Sequence, residues 1–167
     1  MKLKKHILLT ICSTMIFIVV KAQNPQPPPR PLQVYVDPQQ GLVFGSVFRG
    51  PTGGSVIIYP DGSRSVTGDI QQAHSGVPFS PAIFEIEANP GTIVTIVNGP
   101  DVILNGSNGG TAILKIGNSN LGSPFITNVQ QPSRTILRIG ATLVIGTSLV
   151  TPSGNYTGYF NLTFIQQ

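Results

Sequence analysis

Tryptophan is absent from this chain, and cysteine, histidine and charge are all scarce. A single cysteine, Cys12, cannot close a disulfide within the chain or build a thiolate zinc site. Two histidines, His6 and His74, fall short of the three protein ligands that a catalytic zinc normally takes. Charged residues make up only 10% of the sequence. No window sustains a helical period over three turns, so a helical bundle is excluded.

The one long apolar stretch, Ile7 to Val20, sits behind Lys2, Lys4 and Lys5 and ahead of Val20-Lys21-Ala22. A basic start, an apolar middle and small Ala22 at the edge predict a signal peptide over residues 1–22, cleaved before Gln23. The competing reading is a membrane anchor. It meets an apolar run shorter than the roughly 20 residues a span needs, with a proline-rich segment directly after it. A lipid anchor on Cys12 meets bulky Ile11, where a lipoprotein signal takes a small residue. The expectation is an exported chain, in the periplasm, at the cell surface or outside the cell, with no transmembrane segment in its mature form.

Removing the leader changes the charge. The formal net charge of +4 belongs to Lys2, Lys4, Lys5 and Lys21. What remains is Arg30, Arg49, Arg64, Lys115, Arg134 and Arg138 against Asp37, Asp61, Asp69, Glu85, Glu87 and Asp101, a neutral balance. A nucleic-acid partner therefore has no support in charge. Cys12 leaves as well, so the mature chain has to hold its fold by burial alone.

Glycine and proline are abundant, at 19 and 15 residues. Residues 23–32 hold Pro25, Pro27, Pro28, Pro29 and Pro31, each without a backbone donor, and predict an extended N-terminal arm. That arm is either a solvated leader or a spacer that can reach a partner. Beyond it, residues 33–167 read as one domain of short alternating strands. Gln33 to Asp37 and Gly41 to Phe48 are the first two. Gly53 to Thr67 reads as a hairpin around Pro60-Asp61-Gly62. Ala82 to Ala88 places Phe84 and Ile86 inward, with Glu85 and Glu87 outward. Thr92 to Val97, Val102 to Leu104 and Thr111 to Ile116 follow. Gly117 to Pro124 reads as loop, and Gly140 separates Thr135–Ile139 from Thr142–Ile145. The last segment, Gly154 to Ile165, reads as one long strand. Tyr156, Gly158, Phe160, Leu162 and Phe164 share its inner parity. Turn signals every 8–12 residues or so predict an all-β, antiparallel β-sandwich. An outer-membrane barrel would want longer strands and aromatic girdles, which these segments lack.

The hairpin Gly54 to Gly68 resembles the signature hairpin of the exported bacterial domain of unknown function 4402 family. Gly140-Ala141-Thr142-Leu143 and Gly154 to Phe160 resemble that family's closing motif, which is shared with spore-coat-U-like and fimbrial subunit domains. The resemblance runs from about Leu42 to Phe164. It implies an immunoglobulin-like β-sandwich carried in the periplasm or on the cell surface, with no established catalytic residues to transfer. The cysteine pair of disulfide-bearing fimbrial subunits is missing here.

Chemistry is thinly represented. His74 lies in a loop with no motif that places a nucleophile beside it. Glu85 and Glu87 are spaced for paired carboxylates, yet they lie along one strand face rather than across a cleft. Asp61 and Asp69 lack the D-x-D-x-D spacing of a Ca²⁺ loop, and Asp61 reads as a turn residue. Tyr35, Tyr59 and Tyr159 are candidate exposed aromatics on which sugars could stack. No catalytic, metal or cofactor residues are expected, and no enzyme. Two functions stay open. One is a structural or adhesive surface component, fimbria-like or of a surface layer, that docks to itself or another surface protein by strand-edge pairing. The other is a glycan- or peptide-binding accessory module using Asn105–Gly110 and Gly117–Ser123.

Overall fold

The structure is a computed structural model, and it describes residues 30–37, 40–73 and 75–167. The expected signal peptide and most of the expected arm lie outside these residues, as does His74. The first four strands are β1 (Gln33–Val36), β2 (Val47–Ile58), β3 (Arg64–Gln72) and β4 (Ala82–Glu87). Next come β5 (Ile93–Asn98), β6 (Val102–Gly106), β7 (Thr111–Ser119) and β8 (Phe125–Ile126). The last three are β9 (Thr135–Ile145), β10 (Tyr156–Thr157) and β11 (Leu162–Gln166). No α-helix occurs among the described residues, and every strand pairing is antiparallel. Among them, then, no helix is long and apolar enough to cross a membrane.

The strands form two sheets, as the alternation predicts. The larger runs β1-β4-β9-β7-β6-β10, with the β2–β3 hairpin attached to β9; the smaller runs β11-β5-β8. Strand β9 organises the larger sheet. One edge pairs with β7; the other is shared by β4, along Thr135–Ile139, and β2, along Ala141–Ile145. The two partners meet at Gly140. A Cβ there would stand 2.5 Å from the Ile58 carbonyl oxygen and 2.9 Å from the Pro60 ring. Gly140 therefore marks a change of partner within one strand, where the sequence pattern suggests two strands.

The core lies between the sheets. Phe84, Ile86, Leu137 and Ile139 of the larger sheet pack on Val94 and Phe125 of the smaller one. Phe84 and Phe164 meet edge to face with centroids 5.7 Å apart. A second cluster, Leu104, Ala112, Leu114 and Ala141, and a third, Val56, Ile70 and Ile145, lie on the half of the larger sheet beyond the reach of the smaller one. There the cover is irregular. Leu42 and Phe44 reach over from a segment whose ladder pairing is limited to the isolated Val43–Ser80 bridge, so the strand expected at Gly41–Phe48 forms only from Val47 onward.

The terminal strand is the chief difference from the sequence pattern. It is two strands, β10 at the edge of the larger sheet and β11 at the edge of the smaller one. The chain crosses between sheets at Gly158, where a Cβ would stand 2.5 Å from Leu104 Cδ2. The predicted parity survives in the side chains: Tyr156, Phe160, Leu162 and Phe164 are half-buried, while Thr157, Tyr159, Asn161, Thr163 and Ile165 are exposed. Gly158 itself is exposed.

Candidate functional site

Two arrangements concentrate chemistry among the described residues. The first is on the outer face of the larger sheet, where β1 pairs with β4. Arg134, one residue before β9, reaches back across β4. Its Nη1 donates to Glu85 Oε2 at 2.7 Å and its Nε to Glu87 Oε2 at 3.4 Å. Its guanidinium lies 3.6 Å from the centre of the Tyr35 ring on β1. The Glu85 carboxylate, with help from Glu87, raises the Arg134 pKa above its ordinary value. The two glutamates do face outward, as their alternation predicts, but both are spent on one arginine. A carboxylate pair that holds a cation between its members, with Tyr35 stacked on that cation, fastens β1 and β4 to the start of β9.

The second arrangement is a groove of about 1270 Å³ over the half of the larger sheet that the smaller sheet does not reach. Its floor is apolar: Leu104 of β6, Ala112 and Leu114 of β7, Leu143 and Ile145 of β9. One wall is the chain from Gly41 to Phe48; the other is the crossing from β10 to β11. Arg64 fixes the first wall. Its Nη1 donates to the Phe44 carbonyl at 3.0 Å, its Nη2 donates to Gln72 Oε1 at 3.1 Å, and its guanidinium stacks 4.4 Å from the centre of Phe79. Ser80 adds a hydroxyl bond to the Gly41 carbonyl at 3.1 Å. The second wall owes its course to Phe160, which packs against both neighbouring core clusters. Among the lining residues the charged ones are Asp37 and Arg49.

The remaining sequence candidates are scattered. Asp61 is a turn residue: its Oδ1 accepts from the Ser63 N–H at 2.8 Å and the Ser63 hydroxyl at 2.6 Å, which lowers its pKa. Asp69 accepts instead from the Thr52 N–H at 3.3 Å, beside the irregularity between Arg49 and Gly54. Among the described residues no three of His, Cys, Asp and Glu come close enough to hold a metal ion. Tyr35 lies under Arg134, Tyr59 accepts a bond from the Ser65 hydroxyl, and Tyr159 is 94% exposed on the crossing. The three rings stand on different elements and form no common platform.

The two loops considered for ligands are stitched to the body. Asn108 Nδ2 donates to the Ser153 carbonyl, and Ser107 Oγ accepts from the Asn155 N–H. Ser119 Oγ donates to the Gly122 carbonyl, and Ser123 Oγ both accepts from and donates to the Ile96 backbone. The groove has no single sequence signal, because its floor and walls come from five separate stretches of chain. Its trace in sequence is indirect: Phe44, Leu143, Phe160, Leu162 and Phe164 are core-type residues that end up only half-buried.

Residues 34–165 match the family described as domain of unknown function (DUF4402), and the chain belongs to that family. No curated protein matches the chain. No solved structure matches it either.

Proposed function

We propose that this member of the DUF4402 family is an exported, non-catalytic structural or adhesive component of the bacterial cell surface, acting through its strand edges. The observation that carries the reading is β1. All four of its residues, Gln33 to Val36, are exposed, and the strand pairs with β4 along one side only. It directly follows residues 23–32, whose five prolines lack a backbone donor and favour an extended conformation by composition. An edge strand with its other side open is a template for a further strand. Export rests on the leader pattern of residues 1–22, and a thiol-free mature chain suits an oxidising compartment.

Surface labelling of intact cells that express the full chain tests the location. Labelling equal to that of a known surface protein is expected, and labelling only after lysis overturns it. Light scattering tests the edge: the chain from Gln23 onward is expected to form oligomers that Val34→Lys with Val36→Lys dissolves. A monomer across the working concentration range overturns self-assembly.

A further inference from the structure

We propose that the groove beside β11 is an acceptor site for one extended peptide segment, uncharged and apolar at every second residue, that adds to β11 as a fourth strand of the smaller sheet. The proposal deepens the strand-edge reading and rests on it for the biological source of the segment; the site itself is argued from its own geometry.

The backbone of β11 supplies the first argument. Register pairs Leu162 with Asn98 and Gln166 with Val94. The Gly99 N–H donates to the Asn161 carbonyl and the Gln167 N–H to the Ile93 carbonyl. In an antiparallel ladder the residues that exchange bonds recur every second position. Asn161, Thr163, Ile165 and Gln167 therefore turn their backbone toward β5. The N–H and C=O of Leu162 and Phe164 project from the opposite edge, where β11 has no strand partner among the described residues. Ile96, opposite Phe164, obeys the same rule, since its N–H and C=O both turn away from β11 to Ser123 Oγ. A hydrocarbon chain cannot answer a row of donors and acceptors at a two-residue repeat; a peptide backbone can.

The side chains supply the second argument. A strand laid beside β11 presents every second side chain to the floor, about 7 Å apart. There it meets Leu104, Leu114, Leu143 and Ile145. Leu143 is half-buried, and Leu104, Leu114 and Ile145 lie buried beneath the groove, so the floor favours branched apolar side chains on that parity. With charge in the lining confined to Asp37 and Arg49, charged side chains directed inward would be left desolvated and unpaired. The chain's own residues 25–31 are a poor occupant. Pro25, Pro27, Pro28, Pro29 and Pro31 have no N–H to offer an edge.

The test is calorimetric titration of the full chain with an acetylated, amidated nine-residue peptide of alternating threonine and valine. Two further peptides carry N-methyl groups at every valine or at every threonine. Saturable binding is expected, weakened at least about tenfold by one methylation pattern and less by the other, because only one set of N–H groups faces β11. Amide exchange at Leu162 and Phe164 should slow when the unmodified peptide is bound. Leu143→Lys should abolish binding, with its fold checked by circular dichroism. Should it fail to fold, the methylated peptides alone decide. No binding, equal binding of both methylated peptides, or palmitate displacing the peptide without slowing those amides overturns the proposal. Peptide that dissolves oligomers of the chain supports it and identifies a second copy as the donor. Peptide binding to a chain that is monomeric and not surface-exposed leaves the site standing and removes only the surface-assembly reading.

Discussion

Two buried threonines show how this domain treats polar groups away from water. Thr151 Oγ1 donates to the Thr111 carbonyl at 2.6 Å and accepts from the Gly146 N–H at 3.0 Å, tying the end of β9 to the start of β7. Thr127 Oγ1 donates to the Asn89 carbonyl at 2.7 Å and pins the β4–β5 turn beside β8. Each buried hydroxyl is itself satisfied by backbone groups of the segments that it joins. Thr151→Val keeps the shape and leaves a donor and an acceptor unmet. Urea unfolding should show a loss of about 1–3 kcal/mol. At the β2–β3 turn the effect is electrostatic. The Ser63 hydroxyl and N–H hold the Asp61 carboxyl below its ordinary pKa. A carboxylate with a depressed folded-state pKa stabilises the fold above its unfolded value, and this is lost as pH falls through the folded one. A carbon-13 titration should find the Asp61 midpoint below that of an unstructured aspartate, and Ser63→Ala should move it upward.

At the scale of the strand, glycine decides where the chain changes partner. In β9 the alternation Leu137, Ile139, Ala141, Leu143, Ile145 runs unbroken across Gly140, and all five face inward. The pattern thus places every residue correctly yet hides the handover from β4 to β2. A side chain at position 140 would strike the Ile58 carbonyl, a backbone atom fixed by its own ladder. Gly140→Ala should cost about 1–3 kcal/mol, read by chemical denaturation. A cost near zero would mean that the hairpin and β4 do not converge there. The terminal segment repeats the lesson. Period-two alternation persists from Tyr156 to Phe164 because both sheets face one interior, so a strand that leaves one sheet and joins the other keeps its parity. The two-residue β8 leaves no mark in the pattern for the opposite reason: Phe125–Ile126 is too short to show a period. Arg134 had no sequence signal, since its partners Tyr35, Glu85 and Glu87 lie far away in the chain.

For the whole molecule, the sheets are unequal, and that inequality shapes its surface. A three-stranded sheet covers part of a larger one, an irregular segment covers another part, and a groove separates the two covers. All-β class, antiparallel pairing and the inner parity of most strands were legible from alternation and turn chemistry. The groove was not, because it depends on how much of one sheet the other fails to reach. Its functional reading depends on β11 ending the smaller sheet with one edge unpaired. Residue-resolved amide hydrogen exchange on the free protein tests this most directly. The account predicts alternation along β11: slow exchange at Thr163 and Ile165, bonded to β5, and fast exchange at Leu162 and Phe164, which face the groove. Uniform protection across Leu162–Ile165 would show that a further strand already covers that edge, and would contradict it.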